Sequence, residues 1–195
     1  MPVPRLYNDN DAILWDYFRN DDKRAYTFLI NKYSQQLFNY GYRFCQDKDV
    51  LKDCIQEVFF QLWDRRHYIN PTESVKNYLF KAIRLRIFRD YPGWQKNERL
   101  DEGYNFLVEF NIEAKILQHT DEVELAKRIK DTLNLLPSRQ KEAMYLRFYE
   151  NLSFDEIAEV MHLNRQSVHN LLQKAYNRFR SEWVFLLAIG VFSNN

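Results

Sequence analysis

Apolar residues recur along this chain at three- and four-residue spacing almost throughout, the pattern of helices that bury one face. The spacing predicts helices over 11–20, 24–45, 49–66 and 74–91, then over 123–136 and 138–150, and a short pair beyond Ser153. In the 24–45 segment Phe28, Leu29, Tyr33, Leu37, Phe38, Tyr42 and Phe44 stand at helical spacing. Period-two alternation is sustained nowhere, so the expected class is all-α. The breaks carry loop chemistry. "HYINPTES", with Pro71 and a capping-type Ser74, precedes the fourth helix, Pro92-Gly93 follows it, and Pro137 ends the fifth.

The last pair, "SFDEIAEVMHLNRQSVHNLLQKAYNRFR" (Ser153–Arg180), holds the most specific signal. Ser153 and Glu156 have the spacing of a capping box, in which each side chain satisfies the other's orphan backbone N–H. His162-Leu163-Asn164 is a tight break, and Asn164 is a good N-cap for the second helix of the pair. In that helix Val168, Leu171, Leu172, Ala175 and Phe179 form one apolar stripe. Opposite lie Gln166, Asn170, Gln173 and Asn177, with His169 and Lys174 beside them and Arg165 at the helix start. From Asn164 to Arg180 there is no acid. An ordinary solvated helix face mixes charges in i,i+4 pairs. Asn and Gln can bond adenine edges, Arg and Lys reach guanine or phosphate, and a carboxylate here would repel a nucleic-acid backbone. A short helix, a tight turn and such a helix make the helix-turn-helix plan.

Charge is segregated elsewhere too, beneath a formal net charge of only +1. From 94 to 124 acids outnumber bases eight to three and helical periodicity fades, as expected of a linker between two helical domains. Between Arg65 and Arg89 seven Lys and Arg face the single acid Glu73, with Tyr68, Tyr78, Phe80 and Phe88 interleaved. Bases beside aromatics suit single-stranded DNA, whose unpaired bases stack while its backbone needs counter-charge. In the helix over 49–66, Leu51, Ile55, Val58, Phe59 and Leu62 share a core face. Asp53, Gln56, Glu57, Phe60 and Asp64 share the opposite one, where a Phe among carboxylates suggests a partner contact.

Composition narrows the class further. Gly (4) and Pro (5) are scarce, and 46% of the chain is hydrophobic, enough for a core. The two cysteines, Cys45 and Cys54, have neither metal nor disulfide-framework spacing and read as reduced core thiols. No metal or cofactor is expected. No Gly-rich phosphate loop, H-E-x-x-H or nucleophile elbow occurs, so an enzyme with a small-molecule substrate is not expected. The N-terminus lacks an apolar signal core, and a cytoplasmic protein is expected. The apolar run "WVFLLAIGVF" (183–192) is too short to span a bilayer and is expected to fold back onto the protein.

Residues 133–180, through Leu136-Pro137, Glu156-Ile157-Ala158, Ser167-Val168 and Lys174-Ala175, resemble the C-terminal promoter-binding domain of extracytoplasmic-function sigma factors of the sigma-70 family. "DCIQEVFFQLW" (53–63) independently resembles that family's polymerase-binding helix, D-x-x-Q-[ED]-[VT]-F-x-x-[LA]-W, and "YLFKAIRLRIFRDY" (78–91) its −10 element helix. Where many members carry Asn, this chain has Leu85. The aromatic-rich N-terminal half resembles Bacteroidetes-type members.

The resemblance implies a three-part organisation: region 2 over 1–93, an acidic linker over 94–121 threading the polymerase, and region 4 over 122–195 with its apolar tail. It implies that Asp53, Gln56, Glu57, Phe60 and Trp63 hold the β′ clamp helices of core RNA polymerase, with the β subunit a further partner. Tyr68, Lys76, Lys81, Arg84, Arg86 and Arg89 would engage the −10 element, with loop 67–75 capturing a flipped base. Arg165, Gln166, Ser167, His169, Asn170, Gln173 and Lys174 would read the −35 element. A membrane-anchored anti-sigma factor is the expected regulator. The alternative is a helix-turn-helix transcriptional regulator that works without sigma activity.

Overall fold

The computed structural model describes residues 10–72, 74–90, 104–107 and 131–192, with side chains on the final helix as far as Arg180, Phe179 apart. The described residues contain helices and loops and no strand. They gather into two compact units, the first built on the described residues up to 90 and the second on most of those from 104 onward.

In the first unit α1 (Asp11–Arg19), α2 (Lys23–Gly41), α3 (Lys48–Asp64) and α4 (Val75–Asp90) succeed one another. Each of the first three begins on a side-chain cap: Asn10, Asp22 and Asp47 accept hydrogen bonds from the backbone N–H groups two and three residues on. Ser74 caps α4 in the same way, accepting from the Asn77 N–H at 3.4 Å. Helix α2 stops at Gly41, short of the expected residue 45. There the Phe44 and Cys45 N–H groups both turn back to the Gly41 carbonyl at 3.0 Å. Gly41 is a point of close approach: a Cβ there would lie 2.5 Å from a methyl of Leu51 and 3.1 Å from one of Ile87.

The core of this unit sets large aromatic rings among Leu, Ile and Val side chains. Trp15, Phe18, Tyr33, Tyr40 and Phe80 are fully or almost fully buried. Trp15 meets Phe18 and Tyr78, Tyr26 meets Trp63 with centroids 4.9 Å apart, and Tyr40 stacks on Phe80 at 4.9 Å. Such pairs add to the area each ring buries. Cys45 and Cys54 are free and buried, and burial raises the pKa of both thiols.

In the second unit residues 131–134 are helical and end before Pro137. Then come α5 (Ser138–Met144), a π turn (Tyr145–Tyr149), α6 (Phe154–Met161) and α7 (Arg165–Phe192). The π turn closes as the Glu150 N–H donates to the Tyr145 carbonyl, and Asn151 (φ 57°) and the Leu152 N–H to Leu146 carbonyl bond complete the exit. The core is largely aliphatic: Leu133, Leu136, Leu146, Leu152, Ile157, Val168 and Leu172 are buried. Two carboxylates are buried with them, each bonded to a tyrosine hydroxyl: Glu142 accepts from Tyr104, and Glu150 from Tyr145 at 2.7 Å. Phe106 is fully buried, packed against the Tyr145 ring at 5.8 Å. Tyr104 and Phe106 fall within the stretch expected as linker, and both rings belong to this unit's core. The remainder of that stretch beyond 104–107, and residues 123–130 of the fifth predicted helix, lie outside the described residues. The expectation that the tail folds back also concerns side chains outside them. The backbone over 183–192 continues α7.

Candidate nucleic-acid and partner interfaces

The helix-turn-helix is built as the spacing predicts. The Ser153 N–H donates to Glu156 Oε2 at 2.8 Å, and the Glu156 N–H to Ser153 Oγ at 3.2 Å, closing the capping box. At the other end of α6, His162 takes the left-handed conformation (φ 53°), and the Leu163 N–H bonds the Ala158 carbonyl at 2.8 Å. That is the turn usually made by glycine at a helix C-terminus. Asn164 then caps α7, its Oδ1 accepting from the Ser167 N–H at 2.7 Å. Val168, Leu172 and Ala175 face inward. Arg165, Gln166, His169, Asn170, Gln173 and Lys174 are exposed together, and Ser167 is half-buried beside them.

Several of these exposed side chains are held by neighbours. Arg165 pairs with Asp155 of α6 at 2.6 Å, and the Gln166 amide donates to Asn170 Oδ1 at 3.0 Å. The His169 ring lies 6.1 Å from that of Phe154, with the Arg147 guanidinium 5.4 Å from the Phe154 ring.

In the first unit, α3 exposes Asp53, Gln56 and Phe60, with Phe60 63% exposed. Its opposite face, from Leu51 to Leu62, is buried. Glu57 is only partly exposed and already engaged: it accepts from Gln61 at 2.7 Å and pairs with Arg86 of α4 at 3.2 Å. A residue expected to meet a protein and one expected to meet DNA therefore bond each other. Trp63 is half-buried, packed on Tyr26 with the Arg66 guanidinium 4.2 Å from its ring, so it serves the core as well as the edge of the face.

The loop after α3 is fixed by its backbone. The Trp15 indole N–H donates to the Asn70 carbonyl at 3.0 Å, and Arg19 Nε to the Ile69 carbonyl at 2.6 Å. Arg66 binds Asp21, and that guanidinium holds the Asp21 carboxyl below the usual carboxylate range. Tethered on both sides, the loop carries Tyr68 into solvent, 88% exposed.

Along α4 the expected −10 residues separate. Arg89 is exposed, and Lys76 and Lys81 are half-exposed. Arg86 pairs with Asp90 and Glu57. Arg84 is a correction: at 2% exposure it is a core residue, its guanidinium 4.4 Å from the Phe88 ring, and it presents nothing to DNA here. Its place one turn from Phe80 and one turn from Phe88, next to Ile83, was the available signal. Between α3 and α4 a groove of about 420 Å³ has a wall of Tyr78 and Leu85, with Arg65, Arg86 and Arg89 among its lining residues. Among the described residues no group of His, Cys, Asp and Glu could hold a metal, and no helix is long and apolar enough to cross a membrane.

Two family models match this chain: Sigma-70 region 2 over residues 29–92 and Sigma-70, region 4 over residues 126–179, together more than half of it. The chain is 26% identical over 151 residues to RNA polymerase sigma factor SigV of Bacillus subtilis, covering 77% of this chain and 86% of that one. It is 28% identical over 171 residues to the RNA polymerase sigma-H factor of Pseudomonas aeruginosa (80% and 84% covered). It is 27% identical over 166 residues to the ECF RNA polymerase sigma-E factor of Haemophilus influenzae (77% and 83%). Among solved structures, CnrH in complex with the cytosolic domain of CnrY has a similar fold, with a TM-score of 0.57 at 20% identity over 90% of this chain and 97% of that one. The chain belongs to the extracytoplasmic-function sigma factors of the sigma-70 family. It is an alternative sigma factor, and it directs transcription initiation by RNA polymerase.

Proposed function

We propose that the two units divide promoter recognition between them, with no catalytic step of their own. The exposed face of α7 reads the −35 element through Arg165, Gln166, Ser167, His169, Asn170, Gln173 and Lys174. The exposed face of α3, through Asp53, Gln56, Phe60 and the edge residues Glu57 and Trp63, holds the β′ clamp helices of core polymerase. Tyr68, Lys76, Lys81, Arg86 and Arg89 engage the −10 element as it opens. The observation that carries this is the character of the α7 face: exposed amides and cations, no acid from Asn164 to Arg180, behind a capped and correctly turned α6.

The protein acts in the cytoplasm, where the polymerase and promoter are. An anti-sigma factor anchored in a membrane is the regulator that fits best. CnrH, whose fold this chain shares, has been solved with the cytosolic domain of CnrY. Transcription in vitro tests the proposal. Purified chain added to core polymerase is expected to give transcripts from a defined subset of promoters, and the core alone none. Promoter-bound chain that yields no transcripts with any core polymerase would instead support a regulator without sigma activity.

A further inference from the structure

Arg165 stands at the first position of α7, where the positive end of the helix dipole disfavours a cation. Its guanidinium is met from outside the helix: Nη1 lies 2.6 Å from Oδ2 of Asp155, in the first turn of α6. That turn is where a carboxylate is favoured. Both side chains are about two-thirds exposed, at 68% and 64%, so solvent screens the pair and it holds little of the fold together.

An acid at this place also has a cost in function. Beside a surface that approaches a polyanion it opposes binding to every sequence alike. What the geometry gives in return is a guanidinium biased toward one orientation. Arginine has five N–H donors in a rigid fork. Asp155 takes a donor at Nη1 and leaves the Nε and Nη2 edge open, the kind of edge that bonds guanine O6 and N7 in a bidentate pair. Neighbouring side chains have partners too: the His169 ring lies beside that of Phe154, and Gln166 donates to Asn170. A side chain ordered before binding has less freedom to lose on binding.

We propose that Asp155 is a positioning residue for promoter readout: it presets the Arg165 guanidinium for one base pair of the −35 element, and exchanges general DNA affinity for discrimination at that pair. This rests on the assignment of α7 to the −35 element.

The test uses the full-length chain with core RNA polymerase on a promoter library randomised across the −35 element, with the transcripts sequenced. Arg165→Ala should flatten the preference at one base pair by about 5- to 150-fold. Asp155→Asn should flatten the same base pair by about 3- to 10-fold, leave the preferences at the other positions in place, and add nothing further when combined with Arg165→Ala. Thermal melts of each variant report folding separately. A structural role for Asp155 in α6 would lower the melting temperature and weaken all positions together. A purely repulsive role would raise use of every library member equally. Either result, or additive effects in the double variant, overturns the proposal. If Arg165→Ala flattens one position and Asp155→Asn does not touch it, the positioning role fails while the −35 assignment stands. If Arg165→Ala leaves every preference intact, Arg165 reads no base and the positioning role falls with that part of the assignment.

Discussion

The outer faces of α3 and α7 are alike in construction and opposite in chemistry. Each is the exposed side of an amphipathic helix whose other side is core. The α3 face carries Asp53, Gln56 and Asp64 around an exposed phenyl ring, Phe60. The α7 face carries amides and cations without an acid. An exposed aromatic among carboxylates suits a basic protein partner, because the ring can be desolvated in a pocket while the acids pair at its rim. Amides and cations suit a polyanion with hydrogen-bonding edges. The sign of the charge and the presence of a ring, more than the amount of exposed surface, separate the two proposed roles. In its chemistry helix α4 falls between these extremes: Arg86 and Arg89 line one groove with Tyr78 and Leu85, and Arg86 is bonded back to Glu57 of α3.

The scaffolds beneath the faces can be uncoupled, and this gives the largest expected effect. Phe106→Ala removes a fully buried ring from the second unit and should cost about 3–5 kcal/mol of that unit's stability. Core polymerase binding through α3 should survive it. Differential scanning calorimetry with a parallel pull-down checks both, and loss of core binding would tie the α3 face to the second unit.

Next in size, Asp53→Lys combined with Phe60→Ala gives the α3 face the chemistry of neither partner. It should weaken binding to core polymerase by at least about 2 kcal/mol, roughly thirtyfold, with like charges meeting across the interface. Stability should barely change, since Phe60 is mostly exposed. Asp53 is a cleaner site for charge reversal than Glu57, where a new lysine would also face Arg86. Wild-type affinity of the double variant in a binding titration would remove α3 from the interface.

The smallest effect belongs to the frame of the reading helix. Ser153→Ala opens the capping box and should cost about 1 kcal/mol, seen as a lower denaturant midpoint with an unchanged slope. Base preferences should stay as they were, because the Asn164 cap still sets the start of α7.

Much of this was legible in the sequence because it is local. Capping boxes, N-caps and helical stripes are fixed by residues three or four apart, and Ser153, Glu156 and Asn164 bond as their spacing requires. What was illegible depends on contacts across the chain or on a choice between two faces of one helix. Tyr104 and Phe106 sit in an acidic stretch without periodicity, and only a partner distant in sequence, the buried Glu142, reveals their place. Arg84 belongs by composition to a basic surface, and by position to the Phe80–Ile83–Ile87 stripe, and packing obeyed position. The π turn at Tyr145–Tyr149 inserts a wider loop into a pattern that reads as one continuous helix over 138–150.

The central claim is that the exposed amides of α7 choose the promoter while α3 holds the polymerase. The measurement that tests it most directly is transcription from the randomised −35 library by core polymerase carrying the Gln166→Ala, Asn170→Ala, Gln173→Ala triple variant. The account predicts that this variant binds core polymerase as tightly as the wild type and melts at the same temperature, yet loses about 1–3 kcal/mol of discrimination at each base pair those amides contact. A sequence preference identical to the wild type, from a variant that folds and binds the core, would contradict it.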